Sequence, residues 1–396
     1  MQSPLTGLRV LELARILAGP WIGQTLADLG ADVIKVEAPE GDDTRRWGPP
    51  FVHAPSGESL DSAYFHSCNR GKRSLVADFR TPEGQQVVRR LVQVSDVLVE
   101  NFKVGGLAKY GLDYESLKAV NPRLVYCSVT GFGQTGPYAH RAGYDFIIQG
   151  MSGVMDLTGE KDGPPQKIGV AFADIFTGTY GVIAVMAALA QRERTGLGQH
   201  VDLSLLDSMI GVLANQSLNY LVSGVVPRRM GNAHPNIVPY QTFALRDGHV
   251  IIAVGNDAQF ARLCEILGVP SLATDPRYAT NAVRVENRAQ LVEKLADPLA
   301  RRERSELLSA LEEQGIPAAP INTLADVFSD PQVVHRAMRV DLEATSAGGE
   351  TISVPSIRTP IQFSDAQLSL GRPAPRLGEH TQEILEELAA SQSGSG

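Results

Sequence analysis

The stretch LRVLELARILAGPWIGQTLADLGADVIKVEAP, Leu8–Pro39, decides the fold. An apolar run, LRVLEL, leads to Gly19-Pro20 and the amphipathic segment PWIGQTLADL, which ends at Gly30 before a second apolar run, DVIKV. Proline in the first turn and glycine just past the end punctuate a helix. The reading is strand, helix, strand, the unit that builds parallel sheets. The alternation continues. SLVADF is a third strand, Thr81-Pro82 caps and opens the helix PEGQQVVRRLVQV, and VLVENF and LVYCSVTGF are further strands flanking a helix around YESLKAV. Short connections between such units favour an α/β fold with helices on both faces of the sheet.

Downstream, IGVAFAD reads as another strand, followed by a helix over Ile175–Arg192 with Asp174 just before it, the strand QHVDLSL and a helix near Asp207–Leu221. The crossing SGVVPRRMGNAHPNIVPYQ, rich in proline, glycine and asparagine, is the candidate domain boundary. TFALRDGHVIIAV follows as a hairpin turning at Asp247-Gly248. Helices are expected in DAQFARLCEILG, NRAQLVEKLADPL and RSELLSALEEQG, then short strands in VDLEA and TISVP and a last helix in HTQEILEELAA. The tail SQSGSG reads as disordered.

A chain of 396 residues, 43% hydrophobic, holds enough apolar surface for two cored domains. Its net charge of -8 argues against a nucleic-acid partner. Within that acidic whole, residues 45–109 carry ten Lys and Arg against six Asp and Glu, which suits either a solvated face or a small polyanion. Three scattered cysteines make no disulfide framework and fit a reducing compartment. Arg9, Glu12 and Arg15 interrupt what a signal peptide would need as an apolar core. A cytoplasmic location is therefore expected, or the mitochondrial matrix for a processed eukaryotic chain. The uncharged runs Ile175–Gln191 and Ser208–Pro227 read as buried helices rather than membrane spans.

Several chemistries lack their residues. Glu37 ends the second strand as in dinucleotide sites, but LARILAGPW replaces the paired glycines that a pyrophosphate needs. There is no GxSxG, and the histidines show no metal-ligand spacing, so no metal is expected. What remains are polar residues at the carboxyl ends of strands: Arg15 to Ala18, Asp78 and Arg80, Asn101 to Lys103, and Asp174. Asp174 is a lone carboxylate in an apolar, glycine-dotted run, KIGVAFADIFTGTYGVIAV. It serves either as a helix cap or in a chemical task.

On these stretches, and on NRGKRSLVADFRTPEG, DVLVENFKVGGLAKYGLDY, GFGQTGPYAHRAGYDF and AFADIFTG, the chain resembles the family III coenzyme A transferases over nearly its whole length. GNAHPNIVPYQTF, AVGNDAQFARLC and FSDPQVVHRAM resemble most the branch that moves CoA from succinyl-CoA to dicarboxylates such as glutarate. The resemblance implies a Rossmann-like large domain, an inserted small α+β domain and an interlocked homodimer. The domains would be residues 1–222, 223–338 and 339–396, the last returning to the large domain. It implies CoA and acyl-CoA as substrates with no tightly bound cofactor, carboxylic acids as partners, and neither nucleic acid nor membrane.

By position, the resemblance makes Asp174 the covalent nucleophile. It puts CoA on Leu17, Ala18, Ala77, Asp78, Arg80, Asn101, Phe102, Lys103, Lys109, Arg141 and Tyr144, the last near the thioester. Arg45, Arg46, Trp47 and His234 are candidates for the acid substrate. Ala38 and Ala142 stand where the family has basic residues, and AHPNI replaces a polyglycine lid. Arg45 or Arg46 would then stand in for the missing cation at Ala38. An acyl-CoA racemase of the same fold is the alternative, disfavoured because RAGYD offers Tyr144 where a racemase has a histidine base. A non-catalytic acyl-CoA-binding protein is the other.

Overall fold

The structure, a computed structural model, describes residues 2–393. The chain separates into two compact units. The first comprises the chain up to Val154, Lys167–Ser223 and everything from Gln332; the second is Met155–Gln166 with Gly224–Pro331. Relative to the expected division, residues 155–166 group with the second unit and 332–338 with the first. Arg229 explains the former, because its Nη1 lies 2.7 Å from Asp156 Oδ1.

In chain order the first unit begins β1 (Arg9–Glu12), α1 (Ala18–Asp28), β2 (Asp32–Glu37), β3 (Phe51–His53), β4 (Ser59–Ser62), α2 (Ala63–Asn69), β5 (Arg73–Val76), α3 (Pro82–Gln93) and β6 (Val97–Glu100). Then come α4 (Tyr114–Lys118), β7 (Val125–Thr130), α5 (Asp145–Met151), the boundary turn α6 (Val154–Leu157), α7 (Phe172–Thr195), β8 (His200–Ser204), α8 (Leu205–Gly211) and α9 (Asn215–Ser223). Strands β5-β2-β1-β6-β7-β8 form one sheet in which every adjacent pair is parallel. Winding runs from β1 outward through β2 and then restarts on the other side of β1 with β6. The crevice at the carboxyl ends of β1 and β6 is therefore the topological switch point, where open α/β sheets bind ligands.

One face of the sheet is built from Leu11, Ile34, Leu75 and Leu98 packed with Val88, Leu91 and Val92 of α3. Thr81 caps α3 by accepting from Gly84 N at 3.2 Å. The chain returns to this face through α17 (Thr381–Ser393), whose Ile384 and Leu388 join the same core, after α16 (Pro331–His335) and the antiparallel pair β12 (Arg339–Thr345) and β13 (Thr351–Ile357). On the other face α7 lies so close to α1 that a Cβ at Gly181 would collide with Ile22.

The second unit pairs β9 (Tyr240–Leu245), β10 (Gly248–Ala253) and β11 (Ala318–Ala319) antiparallel. Its core is Phe243, Val250 and Ile252 against Phe260 and Leu263 of α10 (Asp257–Ile266). The short α11 (Ser271–Thr274) and α12 (Asn281–Glu286) follow, then α13 (Arg288–Ala300), α14 (Arg304–Glu313) and α15 (Leu324–Ser329).

Several expectations are corrected. IGVAFAD is not a strand, and α7 already starts at Phe172. The helix expected over Asp207–Leu221 is broken into α8 and α9, with Ala214 at φ +46° in the break. The β9–β10 turn is Arg246-Asp247, because Gly248 already pairs with Leu245. The two apolar runs are only partly buried: Val185, Leu189 and Met209 are, whereas Ile183, Leu221 and Val222 are exposed, and α9 has no buried residue. Of the SQSGSG tail, Ser391–Ser393 continue α17 rather than being disordered, and Gly394–Gly396 lie outside the described residues. α7 is, among the described residues, the one helix long and apolar enough to cross a membrane. Its inner face, with Thr177, Gly178, Gly181 and Val185, is packed inside the first unit.

Beneath the switch point lies a polar layer of fully buried charges. Glu12 sits between Lys35 (3.1 Å) and Lys72 (2.8 Å), and Lys35 also reaches Asp42 at 2.9 Å. Such a group is stable only while complete. Lys35→Met should therefore lower unfolding stability by about 3–5 kcal/mol in urea titration, because it strands Asp42 and weakens the hold on Glu12.

Candidate active site

A cleft of about 590 Å³ opens at the carboxyl ends of the parallel strands, and every residue lining it belongs to the first unit. Its wall is made by the loops after β1 (Arg15 to Ala18), β2 (Ala38 to Asp43), β5 (Asp78 to Arg80), β6 (Asn101 to Lys109) and β7 (Thr130 to Tyr144), with Asp174 of α7.

The loop after β1 holds a strained backbone. Ile16 stands at φ +72°, a conformation that a β-branched residue adopts at a cost of roughly 1–3 kcal/mol. Three contacts keep it there. Asn101 Oδ1 accepts from Arg15 N at 2.9 Å, its Nδ2 donates to Arg15 O at 2.6 Å, and Asp42 accepts from Ile16 N at 3.3 Å. Since Asp42 is anchored by Lys35, the buried layer sets the cleft's floor.

Asp174 is not the cap of α7. It lies inside the first turn, after an N-cap position, Ala171, whose side chain bonds nothing. The cap comes from α5: Asp145 Oδ1 accepts from Ala173 N at 2.8 Å. That releases the Asp174 carboxylate, which makes no hydrogen bond or ion pair among the described residues and lines the cleft half-buried. Burial first, and the like charge of Asp145 second, push its pKa up to about 7. Nearby Tyr64 has its phenol raised, mainly by burial and next by Asp174, and Trp47 meets its ring edge-on at 5.3 Å. A second near-neutral carboxyl, Glu100 at the end of β6, is pushed up to about 7 by burial, against the opposing hydrogen bonds from Ser128 and from Phe102 N.

The cleft gathers Leu17, Ala18, Asp78, Arg80, Asn101, Phe102, Lys103, Lys109, Arg141 and Tyr144. Ala77 is set back from it, buried, with its amide donating to Glu37 O. Arg80 is clamped by Asp78 at 2.8 Å and Glu40 at 3.3 Å. Lys103, Lys109 and Arg141 make no ion pair among the described residues; Lys109 lies over Tyr110 and Arg141 over Tyr138. The loop bearing Arg141 and Tyr144 is fixed where Gly131 and Gly143 touch backbone to backbone, an approach no side chain permits.

Of the proposed acid ligands, Arg45, Arg46 and Trp47 do not line this cleft. Arg45 is buried and spent: its guanidinium pairs with Glu37 at 2.6 Å and Asp61 at 2.5 Å, and stacks 3.8 Å from the Phe65 centroid. It supports the fold and has no donor to offer a substrate, nor does it replace the cation missing at Ala38. Arg46 is exposed and bonds Glu40 O and Asp43. Trp47 packs on Tyr64. His234 lies in the second unit, its Nδ1 accepting from Asn236 N and its ring 5.1 Å from that of Tyr240. The sequence reading missed Asp42, Tyr64 and Asp145. Asp145 was visible in RAGYDF as an acid before an apolar helical run, which is a capping signal.

The fold and the cleft define an α/β protein with an open cleft at its sheet's switch point, lined by three unpaired cations and an unpaired carboxylate. The model of CoA-transferase family III matches residues 5–381, and the chain belongs to that family. It is 58% identical to succinate–glutarate CoA-transferase of Agrobacterium fabrum, across 98% of this chain and 96% of that one. Succinyl-CoA:glutarate CoA-transferase of Homo sapiens is 42% identical, across 98% of this chain and 86% of that one. Among solved structures, a CAIB/BAIF family protein from Brucella suis is 63% identical and superposes with a TM-score of 0.86, covering 98% of this chain and all of that one (100%).

A raised carboxyl pKa carries a stability signature. The folded state holds the Asp174 proton up to about pH 7 while the unfolded chain releases it near its ordinary value of 3.8, so this group's contribution is full at acid pH and lost as pH rises through 7. Asp174→Asn should melt above wild type at pH 8, with the difference closing towards pH 4. Paired scanning calorimetry across that range checks it.

Proposed function

We propose that this enzyme moves CoA from succinyl-CoA to a dicarboxylic acid through a covalent intermediate on Asp174. The observation that carries the reading is the free carboxylate of Asp174 in a cleft whose other carboxylates are each paired with a cation. The names of the relatives support the donor and the class of acceptor.

The ionised carboxylate of Asp174 adds to the acyl carbonyl of succinyl-CoA, and CoA leaves as thiolate, giving a mixed anhydride. The thiolate then attacks the aspartyl carbonyl, releasing succinate and leaving an aspartyl-CoA thioester. The acceptor carboxylate displaces CoA from that thioester to make a second anhydride. Attack of the thiolate on the acceptor's acyl carbon forms the new acyl-CoA and regenerates Asp174. Every step is exchange at a carbonyl, so the energy of the thioester is kept, provided water stays out.

At the start of α7 the amides of Phe172 and Ala173 are already engaged, by Val170 O and Asp145. The oxyanions fall instead to the first amides of α1, a helix start that no side chain caps, at Ala18 and Gly19. Lys103, Lys109 and Arg141 fit the phosphates of CoA. The exposed apolar residues of α7 and α9, Ile183, Leu218, Leu221 and Val222, support the interlocked homodimer, with the second unit as its inserted domain.

Two measurements test this. Succinyl-CoA followed by hydroxylamine should leave a hydroxamate on the peptide containing Asp174, seen by mass spectrometry, and Asp174→Ala should lose both the adduct and roughly 10⁴-fold or more of kcat. An adduct elsewhere, or full turnover without Asp174, sinks the mechanism. Light scattering should give twice the chain mass at micromolar concentration; a monomer that still turns over rejects the interlocked assembly.

A further inference from the structure

Two aspartates meet at the start of α7, and only one of them reacts in the mechanism above. Asp145 comes from the first turn of α5 and is fastened on both oxygens. Oδ1 accepts from Ala173 N at 2.8 Å, and Oδ2 accepts from Gln149 Nε2 at 2.7 Å. Gln149 is fully buried and works in the same direction: its Oε1 accepts from Ile168 N at 2.9 Å and its Nε2 also donates to Val170 O at 3.3 Å. One turn of α5 thus grips residues 168, 170 and 173, the segment that delivers Asp174 to the cleft. A capping role alone would be served by any short acceptor, and the N-cap position itself carries an alanine. Here the acceptor bears a full charge, is immobilised by a buried amide and sits one residue from the nucleophile's own backbone.

We infer that Asp145 is a positioning residue whose fixed negative charge keeps the Asp174 carboxylate basic and hence nucleophilic. This rests on the reading of Asp174 as the nucleophile. A helix N-terminus ordinarily stabilises a carboxylate in its first turn and makes it a poorer nucleophile. A carboxylate on the Ala173 amide offsets that field and adds like-charge repulsion. The other titratable groups on elements packed against α7 do not do this. Asp28 of α1 is paired with Arg70, Asp207 stands in the first turn of α8, Tyr126 and Cys127 of β7 are buried, and His200 and Asp202 lie on β8, where Asp202 accepts from Gln134 N. Arg141 and Tyr144 of the cleft wall, and Tyr64 near Asp174, complete the set, and of all these groups Asp145 is the one that adds to burial in raising Asp174.

The test reads Asp174 without turnover. Ligand-free protein is labelled with a water-soluble carbodiimide and glycine ethyl ester from pH 4.5 to 8.5, and labelling of the Asp174 peptide is followed by mass spectrometry, since only the protonated carboxyl activates. Wild type should show a midpoint near 7. Asp145→Asn and Asp145→Ser, neutral residues that still accept from an amide, should lower it by about one unit, while Asp145→Glu should keep it high. Thermal melts select the variants that fold, and two neutral variants guard against the loss of one. If the midpoint stays in place in a folded neutral variant, burial alone sets Asp174 and Asp145 is only a cap. A wild-type midpoint in the ordinary carboxylate range also overturns the inference. A high midpoint that follows Asp145, in a protein that forms no adduct from succinyl-CoA, keeps the control of Asp174 basicity by Asp145 and overturns the nucleophilic role and the transferase mechanism instead.

Discussion

Everything at the cleft stands on the buried carboxylate of Glu12. Two lysines, Lys35 and Lys72, converge on it from β2 and from the turn before β5, and Lys35 extends the chain of charges to Asp42. Burying four ions is expensive, and apolar residues of the same volume would fill the space at lower cost. The polar version does what a hydrocarbon layer cannot: it fixes loops by direction as well as by contact. Asp42 ends the series with its carboxylate under the amide of Ile16, holding the loop after β1 in a conformation its sequence resists. Even α1 adapts to the arrangement, because a Cβ at Gly23 would collide with the Glu12 carboxylate. The cleft's floor is therefore a consequence of charge satisfaction at and beneath it.

The contrast with Asp174 is instructive. Asp28, Glu37 and Asp42 are each buried and each held by a cation. At the mouth of the cleft Asp43, Asp78 and Glu40 are paired as well, with Arg15 and Arg80. In a molecule that satisfies its carboxylates so thoroughly, one left without a partner in the cleft marks a place where stability has been given up. A reactive group has to be unsatisfied in the resting state, since each hydrogen bond to a carboxylate lowers its basicity. The fold achieves this by assigning the capping task to a second aspartate.

How far the sequence revealed this depends on the range of the interactions involved. The β1–α1–β2 unit was legible because Pro20 and Gly30 are local signals, and the same holds for Thr81-Pro82 before α3. The start of α7 was not. Residues 168–170 look like a strand because they are apolar, yet what binds them is the side chain of Gln149, and no periodicity reports a side chain as a pairing partner. Arg45 was misjudged for a related reason. A basic residue near a ligand loop reads as a ligand contact until its acids are located, and Glu37 and Asp61 reach it from β2 and from beyond the β3–β4 turn. Hydrophobic runs mislead in the opposite sense. Residues 208–227 are apolar enough for burial, but composition does not say whether the chain supplies the cover, and no residue of α9 is buried by it.

One constraint joins these observations. On the proposed mechanism Asp174 exchanges acyl groups without hydrolysis; a carboxylate with that task needs a dry environment, yet a dry environment protonates it and takes away its nucleophilicity. A pKa of about 7 is the compromise, since it leaves a substantial ionised fraction at neutral pH together with the basicity that burial confers. A cation beside Asp174 would restore ionisation at the expense of reactivity. The cations of the cleft are instead tied to acids or carried on the loops after β6 and β7, where a ligand's phosphates can meet them. The separation of charge from Asp174 is thus built by the sheet, which places the loops of β6 and β7 and the start of α7 around one crevice while leaving each to its own electrostatic surroundings.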